Sequence, residues 1–179
     1  GSISVFAALI LNELRESIDA QIDIIGTPDE ETKGGKVYMV NDGVFNDYDA
    51  AITIHMFNMN AVSMPFLALD SYEYIFYGAP AHASASPWEG RNALNALRLA
   101  FDAMDMMRQH VTEDVRIHGY ISEGGAAANI VPDRTRAEFT FRARERDTLD
   151  DVVKWAHDIG EAAAKATRTS VEINRLGEK

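Results

Sequence analysis

Two neighbouring carboxylates, Glu30 and Glu31, sit in the stretch GTPDEETKGGK, residues 26–36, directly after Asp29. Three consecutive acids where a strand-like run hands over to a helix need a cause. A phosphate-binding loop is excluded. The spacing G-x-x-x-x-G-K-[ST] is not met, Val37 follows Lys36 where a hydroxyl would hold magnesium, and the acids would repel a phosphate. The plain alternative is that the acids favour a helix N-terminus, worth ~0.3–1 kcal/mol each. His55 closes the apolar run AITIH. An imidazole there could face a ligand at the C-terminal edge of an open α/β sheet, or simply bond to backbone inside a core. His82, in GAPAHAS, reads by itself as a polar turn histidine. Arg142 falls on the strand face of Arg136, Glu138 and Thr140, opposite Ala137, Phe139 and Phe141, which on pattern alone is a solvated face.

The elements that must hold these residues follow from periodicity. Val5, Phe6, Leu9, Ile10, Leu14 and Ile18 recur at helical spacing. Gln21–Ile25 reads as a short strand, a helix runs from about Glu30 towards Val40, and residues 47–55 end in another strand, with Asp47 and Asp49 as solvated turn residues. Strand–helix–strand of this kind belongs to a mostly parallel α/β sheet. Near Met64-Pro65 the pattern changes. Residues 70–77 alternate, with Tyr72, Tyr74 and Phe76 on one face. A helix follows from Asn92 to about Val111, then strands around Val115, Ile117 and Ile121 and around Ala137, Phe139 and Phe141. A second helix carries Leu149, Val152, Val153, Ala156 and Ile159, and a last strand contains Val171 and Ile173. That order is βαββαβ, the split βαβ or ferredoxin-like motif.

Composition narrows the function classes. With 46% hydrophobic and 25% charged residues the chain can bury an ordinary globular core. No apolar run approaches the ~20 residues of a membrane span, and the opening GSISVFAALIL lacks the basic start of a signal peptide. A net charge of -11 argues against nucleic acid or an anionic membrane as partner. The absence of cysteine fits a reducing, cytoplasmic setting.

Four stretches in order, GTPDEE, ITIHMFN, GAPAHASASPWEGRNAL and GGAAANIVPDRTRAEFTFRAR, resemble motifs of the zinc aminoacylase and carboxypeptidase metallopeptidase superfamily. The likeness is greatest to its amidohydrolase branch, near the aminobenzoyl-glutamate and β-alanyl-dipeptide hydrolases. It implies an α/β catalytic-domain portion in residues 1–67 and an inserted α+β ferredoxin-like dimerisation domain in residues 68–175, with 176–179 starting the return. It implies two divalent metal ions, zinc in the first instance with manganese or cobalt as alternatives. Glu31 and His55 would be metal ligands and Glu30 the general base and acid. A bound cation would also relieve the repulsion among the acids. Neighbouring residues at a helix start point about 100° apart, so adjacent carboxylates can serve different partners. His82 would reach across a homodimer to stabilise an oxyanion. Asn129 and Arg142 would bind substrate, Arg142 through its carboxylate. The implied reaction is hydrolysis of the amide bond of a small N-acyl amino acid or dipeptide-like substrate. The resemblance also calls for an upstream histidine motif and a late histidine absent from these residues, so the chain is expected to be a portion of a longer enzyme. The rival reading is a non-catalytic dimerisation or binding module whose acids are structural.

Overall fold

The structure is a computed structural model that describes residues 2–29 and 34–177. It divides into two compact units, the first running to Met64 and the second comprising Pro65–Gly177.

In the first unit, α1 (Ser2–Glu13) and α2 (Arg15–Ile18) are separated at Leu14, and α3 spans Gly35–Asn41. Asp19, in the left-handed conformation, ends α2. Tyr48 donates to Asp23 Oδ2 at 2.8 Å, and Asp29 O accepts from Gly35 N at 3.3 Å. Two sequence expectations, both of strands, fail here. Residues 21–25 and 51–55 carry no strand among the described residues. An apolar run becomes a strand only when a neighbour completes its ladder, and no described segment does so. The apolar series from Val5 to Ile18 also packs against nothing that buries it, since no described residue up to Met64 is buried. Of the helix expected from Glu30, the described part begins at Gly35; residues 30–33 lie outside the described residues.

The second unit holds the core. Its elements are β1 (Ala68–Tyr77), α4 (Ala93–Met107), β2 (Arg116–Glu123), β3 (Arg134–Ala143), α5 (Arg146–Ala166) and β4 (Ser170–Leu176), with 3-10 turns at Pro87–Glu89 and Arg108–His110. The sheet order is β2-β3-β1-β4, every pair antiparallel. β3 alternates strictly: Thr135, Ala137, Phe139, Phe141 and Ala143 are buried, and their neighbours are not. The buried set joins Tyr74 and Phe76 of β1 to Ala96, Leu97, Ala100 and Met104 of α4 and to Leu149, Val152, Val153 and Ala156 of α5. Burying side chains of this size contributes ~1.5–3 kcal/mol each for the larger ones.

Local signals explain where the helices begin and how close they pack. Asn92 caps α4, its Oδ1 accepting from Leu94 N at 2.9 Å and Asn95 N at 3.2 Å. Gly160 of α5 lies against the Tyr74 ring, where a β-carbon would come within 2.9 Å of Cε1. Ile121 departs from expectation and is exposed. Ile121 lies on β2, the edge strand of the sheet, at the last pair before the β2–β3 register shifts between Ile121 and Glu123.

Candidate functional site

Glu30 and Glu31, the expected base and metal ligand, lie outside the described residues. His55 is described. It sits exposed on a segment without helix or strand, with Nδ1 2.7 Å from the carbonyl oxygen of Met56. A carbonyl can only accept, so Nδ1 carries the proton and the neutral ring presents a bare Nε2. That is the arrangement a metal-ligating imidazole adopts, with its other nitrogen donating to a carbonyl. Among the described residues no three His, Cys, Asp or Glu side chains stand together as a metal-binding group. The donor chemistry at His55 fits a metal, and a complete site needs further ligands.

His82 has the opposite tautomer. It lies on the loop after β1, whose base is closed by reciprocal bonds between Ala79 and Arg91, each at 2.9 Å. Gly78 permits this closure, because a β-carbon there would meet Arg91 O at 1.9 Å. Ser84 N and Ala85 N both donate to His82 Nδ1, at 3.3 and 3.2 Å. Two backbone N–H groups need a lone pair, so Nδ1 is bare and Nε2 carries the proton. The exposed edge of His82 is therefore a fixed hydrogen-bond donor.

Asn129 is brought beside this loop by backbone pairing. Its carbonyl accepts from Ala83 N at 2.9 Å, Val131 N donates to Ala81 O at 2.9 Å, and His82 and Ile130 form an antiparallel bridge. Arg142 is not part of that group. It pairs with Leu69 near the start of β1, whereas the His82 loop leaves from the far end, where Tyr77 pairs with Arg134. Eight residues of strand at ~3.3 Å each put roughly 26 Å between the two ends. Arg142 has a half-exposed side chain, a buried Nε without a partner, and Arg116 as its neighbour on β2.

The sequence reading missed a buried ionic cluster at the Arg142 end. Asp70 is only 2% exposed. Arg146 grips it with both terminal nitrogens, Nη1 to Oδ1 at 3.1 Å and Nη2 to Oδ2, while Arg175 donates to Oδ1. Arg146 also pairs with Asp150. These carboxylates hold the Arg146 guanidinium above its ordinary pKa, despite the opposing effect of burial. The signal was available: Asp70 has the same parity as Tyr72, Tyr74 and Phe76, which puts a carboxylate on the core face.

Residues 69–168 match the family of the peptidase dimerisation domain, M20_dimer. The chain is 37% identical over 175 residues to the Xaa-Arg dipeptidase of Mus musculus, covering 96% of this chain and 41% of that protein. It is 36% identical over 154 residues to one of the p-aminobenzoyl-glutamate hydrolase subunits of Escherichia coli, covering 82% of this chain and 31% of that protein. The chain thus spans well under half the length of these relatives. Among solved structures, the aminobenzoyl-glutamate utilization protein from Klebsiella pneumoniae superposes with a TM-score of 0.58 at 24% identity, over 63% of this chain and 29% of that one. The four-stranded antiparallel sheet with its helices is thus a known fold, and with more than half of its residues matched, the chain belongs to the M20 peptidase dimerisation-domain family.

Proposed function

We propose that this chain is part of a metal-dependent amidohydrolase that cleaves the amide bond of small N-acyl amino acids or dipeptide-like substrates. The observation that carries the reading is the pair of opposite tautomers. His55 offers a bare nitrogen suited to a metal, and His82 offers an N–H suited to a developing oxyanion. A dipeptidase and an aminobenzoyl-glutamate hydrolase among the relatives support the substrate class. Glu31 and His55 would contribute to holding two divalent ions, zinc in this reading, which when bound supply an acidified water. Glu30 takes the proton of the attacking water and returns it to the leaving nitrogen. His82 Nε2–H donates to the oxyanion. Asn129 orients the substrate, and Arg142 grips its carboxylate through two parallel N–H donors.

A small substrate cannot bridge the roughly 26 Å between the sheet end of Arg142 and that of His82 and Asn129. This separation supports a homodimer in which Arg142 serves one site while His82 and Asn129 serve the other copy's. The element order βαββαβ and the strand order β2-β3-β1-β4 support the ferredoxin-like reading of the inserted domain, taken as residues 68–175 beside a catalytic portion in 1–67. The lack of cysteine supports a cytoplasmic setting. No helix among the described residues is long and apolar enough to cross a membrane.

The test uses the full-length protein. Glu30→Gln should keep its metal and lose about 10²–10⁴-fold in turnover, as for loss of a positioned general base. His82→Ala should be inactive with metal intact, and mixing it with a His55→Ala variant should restore part of the activity through hybrid dimers. Normal turnover in Glu30→Gln would overturn the catalytic assignment. No recovery after verified subunit exchange would overturn the action of His82 across copies.

A further inference from the structure

The backbone pairing at the His82 loop fixes which side chain lies beside the histidine. Ala83 N donates to Asn129 O and Val131 N to Ala81 O, so the two bonds flank His82 and Ile130, which form an antiparallel bridge. In antiparallel pairing this is the position between closely bonded pairs, where the α-carbons come to about 4.5 Å and both side chains leave on one face. The residues next to them turn the other way. Ala81 Cβ and Val131 Cγ1 close on Gly90, where a β-carbon would stand 3.1 and 3.0 Å from them. His82 and Ile130 are left together on the outer face, with Ile130 43% exposed. The surroundings are neutral: residues 78–88, GAPAHASASPW, contain no acidic or basic side chain besides His82, and residues 124–132, GGAAANIVP, contain none.

We infer that Ile130 is a specificity-determining residue: it is the wall on which the acyl group of the substrate lies, and it selects an apolar acyl group over one that ends in a carboxylate. The inference rests on the amidohydrolase reading above. The oxyanion that His82 Nε2–H meets sits on the scissile carbon, which carries the acyl group on one side and the leaving nitrogen on the other. Charge decides which side meets Ile130. The leaving amino acid brings a carboxylate, and an anion set against isoleucine loses water without gaining a partner. An apolar acyl group buries surface there at no such cost. The same argument makes an acyl group with its own carboxylate a poor fit, since neither stretch supplies a lysine or arginine to receive it.

The test measures kcat/KM of the full-length protein for the N-acetyl, N-benzoyl and N-succinyl derivatives of alanine, glutamate and arginine, comparing acyl groups on the amino acid turned over fastest. Benzoyl should exceed succinyl by about tenfold or more, and Ile130→Ala should lower the benzoyl-to-acetyl ratio by about tenfold, the low end of what one methylene is worth in an apolar pocket. Ile130→Lys should raise succinyl relative to benzoyl, and Ile130→Val should stay close to the parent. Ratios between substrates do not depend on how much of a variant folds correctly. If Ile130→Lys fails to fold, the benzoyl-to-acetyl ratio of Ile130→Ala decides alone. Ratios that stay unchanged in Ile130→Ala, or a parent that prefers succinyl, overturn the inference and leave the amidohydrolase reading standing. No hydrolysis of any of these compounds by the parent overturns that reading, and the inference with it.

Discussion

Replacing Asp70 by Asn should be among the most damaging isosteric changes in the second unit. The carboxylate is 2% exposed and accepts from two arginines, Arg146 through two nitrogens and Arg175 through one. An amide keeps one acceptor oxygen but turns its NH2 towards a guanidinium, donor against donor. At least one charge-assisted bond is lost, worth ~1.5–3 kcal/mol, and the neutralising charge goes with it. Removing one partner of a fully buried ion pair costs about 3–5 kcal/mol. Here the arginine side chains keep 35% and 24% of their surface in water, which softens the penalty. The expected loss is therefore about 2–4 kcal/mol, combining the bond and ion-pair figures. Urea unfolding followed by far-ultraviolet circular dichroism reads it directly. With an m-value of ~1–3 kcal/mol/M, the midpoint should fall by roughly 1–2 M with m unchanged. A loss below about 1 kcal/mol, the net worth of an ordinary hydrogen bond, would refute the claim that this cluster pins the sheet.

Tyr74→Phe should stabilise the same unit by about 1 kcal/mol or more, because the hydroxyl is buried without a partner and its removal recovers a desolvation cost; a destabilised variant would show that the hydroxyl is satisfied. His157, with its Nε2 buried and its ring edge-on to Tyr72 at 4.6 Å, has its pKa lowered by burial, against the opposing pull of Asp158 and Glu161. The unfolded chain therefore takes up the proton first as pH falls below about 6.5, so stability should decline from there towards the folded pKa and then level off. His157→Phe should flatten that part of a pH–stability curve, and an unchanged slope would sink the idea. The unfolding of residues 65–177, whose described side chains include no metal-binding group, should have the same midpoint with and without chelator in the full chain; a chelator-dependent midpoint for that transition would contradict a self-contained core.

Legibility differed sharply between the two units. In residues 68–176, Ile121 apart, the apolar faces meet one another within the same stretch, so period and burial agree: Leu97 and Met104, Leu149 and Val153, Phe139 and Phe141 read as core and are core. In residues 2–64 the same kind of pattern, Val5 to Ile18 and the run AITIH, ends in exposed side chains. Hydrophobic periodicity says which face wants cover, and it does not supply the covering segment. At the candidate site, the sequence could point to His55 and His82 but not to their protonated nitrogens. Those depend on the Met56 carbonyl and on the Ser84 and Ala85 amides, which only the folded loops bring to the rings. The distance between Arg142 and His82 was likewise hidden, because it follows from register and not from spacing along the chain.

The pairing of β1 with β4 makes the module portable. Ser71 stands opposite Leu176, so the entering and departing chain pass within ~5 Å of one another. To any polypeptide that carries it, the span from Ser71 to Leu176 imposes the end-to-end constraint of a tight turn. Closure entropy rises only logarithmically with the length enclosed, so a host loop could accept the whole span at little more than the cost of a hairpin. Conversely, a two-residue turn could stand in its place without moving the flanking chain. A domain with this geometry can be gained, lost or exchanged between hosts as a cassette, its own folding uncoupled from theirs.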